Sequence, residues 1–159
     1  MNLSRNIFTN RNFLIFILLL ILILVFIFVS IFFINLRKEN ISRVVLGNKT
    51  FKVAIADTDL AKARGLSGHK PLGDNEGMLF VFDKSDKYGF WMKDMKFSID
   101  IIWIDENWRV VHIEKNVTPE TYPKIFFPQK PSLYVLEINT QKSDIFNIKI
   151  DDLVDFLKK

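Results

Sequence analysis

Read from its start, the chain shows one long apolar block followed by a series of short ones. Phe13 to Ile34 is apolar at every position except Ser30. As a helix these residues extend about 33 Å at 1.5 Å per residue, which matches a hydrocarbon core of roughly 30 Å. The block is apolar on all faces, as a helix surrounded by lipid must be. A signal-peptide core is shorter, roughly 7–15 residues, and ends at a small-residue cleavage site. Here the run ends in Ile31-Phe32-Phe33-Ile34-Asn35-Leu36, with no such site. The pattern predicts an uncleaved anchor held in the lipid bilayer over 13–34. A tail at 1–12 precedes it, a tether at 35–46 follows, and a folded domain occupies 47–159.

Within that domain the apolar positions change period. Phe51, Val53 and Ile55 alternate with polar neighbours, a half-buried strand from Thr50 to Ile55. Asp57 or Thr58 is placed to cap a short helix through Leu60, Ala61 and Ala63, with Gly65 at its left-handed end. A Gly- and Pro-bearing loop leads to Met78–Phe82, a continuous apolar strand. Further strands are expected at Tyr88–Met92, Ile99–Ile104, Trp108–Ile113, Leu133–Ile138 and Leu153–Leu157, with Asp105-Glu106-Asn107 as a hairpin turn. Four prolines between 116 and 131 predict a long ordered loop, and 140–147 an irregular or short helical turn. About seven short strands and one small helix predict a mainly β fold, a compact β-sandwich or an open barrel.

Composition agrees with this division. The chain is 49% hydrophobic yet 25% charged. Without the apolar block, the part after Asn35 is about 43% apolar, ordinary for a soluble domain. Its 20 Lys and Arg are interspersed with all 18 Asp and Glu, which argues against a nucleic-acid surface, where bases cluster with stacking aromatics. Orientation draws on two opposed signals. Arg37, Lys38, Arg43 and Lys49 after the block outnumber Arg5 and Arg11 before it, which leans towards a cytoplasmic domain. A short basic tail before a long apolar run is nevertheless the layout of a signal anchor, which places the domain outside. The absence of cysteine fits either side.

Candidate chemistry is sparse. His69 and His112 are the only histidines, and no spacing typical of a zinc site occurs, so no metal or cofactor is expected. No serine lies in a Gly-x-Ser-x-Gly setting. Asp94 and Asp100 flank a strand start, and Glu137 lies between Leu136 and Ile138. A semi-apolar setting raises a carboxyl pKa towards the range useful for acid–base work. The competing reading is a structural brace in which Arg64 meets Asp100 or Glu137. Trp91, Trp103 and Trp108 fall close together. Trp103 and Phe90 suit the core, whereas Trp91 and Trp108 sit at strand ends.

Several stretches taken in order resemble one family. They are Ala63-Arg64-Gly65-Leu66-Ser67, Glu76-Gly77-Met78-Leu79-Phe80-Val81-Phe82, Phe90-Trp91-Met92-Lys93-Asp94, Asp100-Ile101-Ile102-Trp103-Ile104-Asp105 and Tyr134-Val135-Leu136-Glu137. The chain over roughly 47–157 is similar to the DUF192 family, also called UPF0127. The resemblance implies a compact, mainly β domain, often preceded by a signal sequence or membrane anchor, and so favours the outside placement. It implies no activity. Departures from the family pattern are Ser67 for Met, Asp94 for Asn, Ser98 for Pro and Asp151 for Gly.

The expected protein is a single-pass membrane protein presenting a small β domain outside the cytoplasm, as a binding or accessory module rather than an enzyme. Its expected partner is an envelope glycan or protein. The candidate ligand-binding surface is Arg64, Trp91, Lys93, Asp94 and Asp100, with cations for an anionic or polyol group and Trp91 as a stacking face. A hydrolase acting on an envelope glycan through Asp94 or Glu137 is the second reading. It needs two carboxyls facing one cleft. The third is a purely structural envelope protein built on the Arg64, Asp100 and Glu137 brace.

Overall fold

The computed structural model describes residues 3–36 and 42–157. They fall into two units, taken separately below. The first is helix α1 (Leu3–Leu36). Its stretch Phe13–Ile31 is long and apolar enough to cross a membrane, and the same length and composition suit an anchor or a signal sequence near the N-terminus.

The second unit is one mixed sheet of seven strands in the order β5-β4-β6-β3-β2-β1-β7. The strands are β1 (Ser42–Leu46), β2 (Lys49–Ala56), β3 (Glu76–Asp86), β4 (Ile99–Ile104), β5 (Val110–Val117), β6 (Ser132–Asn139) and β7 (Val154–Leu157). All neighbours are antiparallel except β2 and β3. A parallel pair needs a crossover, and α2 (Asp59–Arg64) lies within it. Thr58 caps that helix, its Oγ accepting from the Ala61 N–H at 3.2 Å. Gly65 ends it at φ 49°, where a Cβ would also come within 3.3 Å of the Phe80 ring. α3 (Lys142–Ile145) is the short helical turn expected after β6.

The two ends of the strand order approach each other. Arg109 and Leu153 form a bridge, and Val110 N–H donates to the Asp152 carbonyl at 3.0 Å. The sheet thus curls into a half-barrel, the open-barrel form of the expected fold. Its inner face carries Val44, Phe51, Leu79, Ile102, Leu136 and Ile138, all buried. Successive strand residues point to opposite faces, so Met78, Phe80, Ile101, Trp103 and Val135 build a second core on the other side. There α2, the 88–97 segment and the 119–127 segment supply the cover. The central strands are therefore buried on both faces: every residue of β4 is inaccessible to solvent.

Three local expectations change. Residues 42–46 fall in the stretch expected to be tether, and they form β1, paired on both sides. Tyr88–Met92 is not a strand; Phe90 makes a single bridge to Phe126. Trp108 stands in the turn before β5 at φ 59° and stacks on Tyr134 with ring centres 3.9 Å apart.

Asp100 is a structural carboxylate. Its side chain is fully buried and accepts four hydrogen bonds, from the N–H groups of Asn116 (2.9 Å), Gln141 (3.3 Å) and Ser143 (2.9 Å) and the Ser143 hydroxyl (2.6 Å). It ties β4 to the end of β5 and to the turn before α3. Asn116, at an irregularity of β5, and Gln141, before α3, both sit at positive φ, so the carboxylate holds two strained backbone positions in place. Bonds to a charged acceptor are worth about 1.5–3 kcal/mol each, and an orphaned buried donor adds its desolvation cost. Asp100→Ala is expected to lower stability by roughly 3 kcal/mol or more. Urea unfolding of the detergent-solubilised chain, followed by tryptophan fluorescence, measures this.

Candidate functional site

A cavity of about 170 Å³ opens on the covered face of the sheet. It is built from four elements. α2 and its C-terminal turn contribute Lys62, Arg64 and Ser67; β3 contributes Phe80 and Phe82. The 88–95 segment contributes Tyr88, Phe90 and Trp91, and β6 contributes Glu137. Arg64 is exposed and Trp91 is 51% exposed, so both stand at the mouth.

The 88–95 segment is pinned although it is not a strand. The Trp103 indole N–H donates to the Tyr88 carbonyl at 2.9 Å. Phe90 and Phe126 exchange backbone bonds at 2.9 and 2.8 Å. Ser67 Oγ donates to the Lys93 carbonyl at 2.8 Å, and Gly68 N–H to that of Asp94 at 2.9 Å, joining this segment to the α2 turn. The walls are rigid aromatic contacts: Phe90 meets Phe80 and Trp103 edge-on at 4.8 and 5.9 Å, and Tyr88 stacks on Phe82.

Glu137 is the chemically unusual member. It faces Met78 across β3 and Ile101 across β4, in the middle of the sheet. It is 5% exposed, and its Oε2 has no hydrogen-bond partner. Burial pushes its pKa up from 4.5 to about 8, so at neutral pH it is held mainly as the acid. Among the described residues Arg64 makes no ion pair, so the two do not form a brace.

The residues expected at the site divide. Arg64 and Trp91 line the cavity, and Lys93, Asp94 and Asp100 do not. Asp100 pairs with Ile138 and Glu137 with Ile101, so their side chains leave β4 and β6 on opposite faces. Lys93 and Asp94 serve through backbone carbonyls, with exposed side chains. Lys62, Ser67, Phe80, Phe82 and Tyr88 join the site without having been expected there from sequence. The Arg-Gly-Leu, Gly-Met-Leu-Phe and Phe-Trp-Met stretches were the available signal, since these residues lie in or beside them. Among the described residues no three His, Cys, Asp or Glu side chains gather where they could hold a metal.

The DUF192 family model, described as an uncharacterized ACR, matches residues 42–156. The chain belongs to the DUF192 family. Among solved structures it is similar to a protein of unknown function from Novosphingobium aromaticivorans DSM 12444. The two are 32% identical with a TM-score of 0.68, over 71% of this chain and 83% of that one. A protein from Sinorhizobium meliloti 1021, provisionally described as a transcription regulator, shares the fold at 22% identity and a TM-score of 0.67, over 72% of this chain and 91% of that one. No curated protein matches the chain.

Three DUF192 departures now have local accounts. Ser67 supplies the hydroxyl that holds Lys93. Asp94 sits at φ 56° in a turn closed by Met95 N–H on the Met92 carbonyl, a conformation open to Asn and Asp alike. Asp151 adopts φ 72°, where Gly is less strained.

The Glu137 shift has a definite sign. Between pH 4.5 and about 8 the unfolded chain has released this proton and the folded chain keeps it. The folded state's advantage is complete below pH 4.5 and is lost as pH rises towards 8, at up to about 1.4 kcal/mol per unit. Urea midpoints are expected to fall between about pH 5 and about pH 8, and Glu137→Gln to flatten that fall. An unchanged slope in the variant refutes the assignment.

Proposed function

We propose that this protein is a single-pass membrane protein that holds its DUF192 domain outside the cytoplasm and binds a small ligand in the cavity beneath Trp91. One observation carries the binding role: an unpartnered buried carboxyl at the base of an aromatic-walled opening. A buried polar group without a partner costs the fold stability, and a ligand that satisfies it recovers that cost. The exposed Arg64 at the mouth suits an anionic part of the ligand, and the half-exposed Trp91 offers a stacking face. The hydrolase reading draws no support here, because Glu137 is the single carboxyl among the lining residues. The brace reading lacks its Arg64 ion pair. Nucleic acid has no place in this proposal, since acids and bases are interspersed through the domain after Asn35.

The bilayer contact through Phe13–Ile34 and the outside placement rest on the signal-anchor layout and on the family's frequent leader or anchor. Protease added to intact cells is expected to remove the domain. Protection until lysis sinks the placement. For binding, a library of polar fragments is screened by ligand-observed NMR against the detergent-solubilised chain. Hits are expected that Trp91→Ala weakens by about tenfold, the loss of one stacked face. Hits that bind equally well to Trp91→Ala and Glu137→Gln chains place binding elsewhere and refute the cavity.

A further inference from the structure

Resting on that reading, we infer that the cavity takes a small zwitterion, with a primary ammonium group set between the aromatic walls and the Glu137 carboxyl and an anionic group on Arg64. The argument begins with the interior's capacity for hydrogen bonds. Three side chains in the lining carry oxygen. The Ser67 hydroxyl is committed to the Lys93 carbonyl, and the Tyr88 hydroxyl donates to the Lys84 carbonyl at 2.7 Å. That leaves Glu137, whose Oε2 is without a partner. A sugar ring would bring several hydroxyls into a space whose interior offers one side-chain oxygen with no hydrogen bond, Glu137, besides the Arg64 guanidinium at the mouth, and each unpaired hydroxyl carries a desolvation cost. A free polyol, part of the glycan expectation, therefore fits poorly.

An ammonium group fits the same inventory well. One N–H meets the carboxylate as a charge-assisted bond, and aromatic faces stabilise the remaining charge. These walls already hold one cation: Lys62 Nζ lies over the Phe82 ring, 5.2 Å from its centre. A quaternary ammonium has no N–H for the orphaned oxygen, so the primary amine is favoured. A simple monocation would be repelled by Arg64 at the mouth and by Lys62 in the wall, whose own charge is only partly offset by Asp59 at 4.0 Å. A ligand with its own anion turns that repulsion into attraction, and the exposed Arg64 guanidinium has a fork to offer a carboxylate or phosphate. The volume of about 170 Å³ suits a buried portion of amino-acid size.

Binding such an ammonium requires Glu137 ionised, so its proton leaves to solvent as the ligand's charge arrives. The other ionisable lining groups are Lys62 and Arg64 from α2 and Tyr88. β3 and β4 present Met78, Phe80 and Ile101 on that face, none of which titrates.

The shared chemistry occurs in free amino acids and in an ethanolamine phosphate lipid headgroup. The test uses calorimetry on the full chain in detergent with O-phosphoethanolamine, L-alanine, glycerol 1-phosphate and N-acetylglucosamine. Phosphoethanolamine or alanine is expected to bind at least about tenfold more tightly than glycerol phosphate or the sugar. Affinity is expected to rise with pH up to about 8, the point at which Glu137 ionises unaided. Glu137→Gln keeps the side-chain shape and is expected to cost the zwitterion about tenfold while leaving glycerol phosphate unchanged. Competition by nanodiscs containing phosphatidylethanolamine, but not by phosphatidylglycerol nanodiscs, assigns a headgroup; its absence assigns a free zwitterion. Equal binding of glycerol phosphate, or indifference to Glu137→Gln, overturns the zwitterion. If Trp91→Ala still weakens the probe that binds, the ligand-binding role survives that failure. Binding of none of the probes also overturns the zwitterion, and the fragment screen then decides the broader role.

Discussion

A carboxyl on a central strand has no path to water along the sheet. β6 runs between β3 and β4, and both of its faces are covered. Whatever side chain stands at 137 must lie in one of the two cores or in a gap left in a cover. Here the gap lies over residue 137, between the α2 turn and the 88–95 segment. The hydrogen bonds at Ser67, Gly68, Tyr88 and Phe90 hold that gap to its shape. The cost of an unpaired acid and the presence of an aromatic-walled opening are thus one arrangement, created by a polar residue placed where the sheet has no room for it.

Asp100 is the instructive contrast. It too is a carboxyl on a central strand, yet it is saturated with donors from the end of β5 and the start of α3. The same residue class, buried to a similar degree, plays opposite parts because one has partners and the other has none. Gly77 shows how tightly the middle of the sheet is built. A Cβ there would stand 2.8 Å from the Glu137 carbonyl, so β3 and β6 leave no space for a side chain at that point.

Much of the fold was legible. The alternation in β2, the apolar runs of β3, β4 and β6 and the Thr58 cap all follow from local pattern. β1 was hidden because Ser42 occupies a buried position and charged residues surround the segment. Tyr88–Met92 has strand-like composition, but its neighbour is the proline-bearing 119–128 segment, which supplies one bridge and no ladder. The site was half legible. Arg64 and Trp91 belong to motif stretches and stand at the mouth. Asp100 and Glu137 were read together because both interrupt apolar runs, and only the register of β4 on β6 shows that they part to opposite faces.

That opposition makes the length of β6 matter more than most of its side chains. Residues 135 and 137 serve the cavity side, and 136 and 138 serve the barrel interior. Apolar substitutions within either set can drift without disturbing the other. Loss or gain of one residue would exchange the sets, carrying the acid into the barrel and an isoleucine to the cavity floor. The packing of the half-barrel can therefore be retuned residue by residue, whereas an insertion or deletion within its central strand reaches both cores at once.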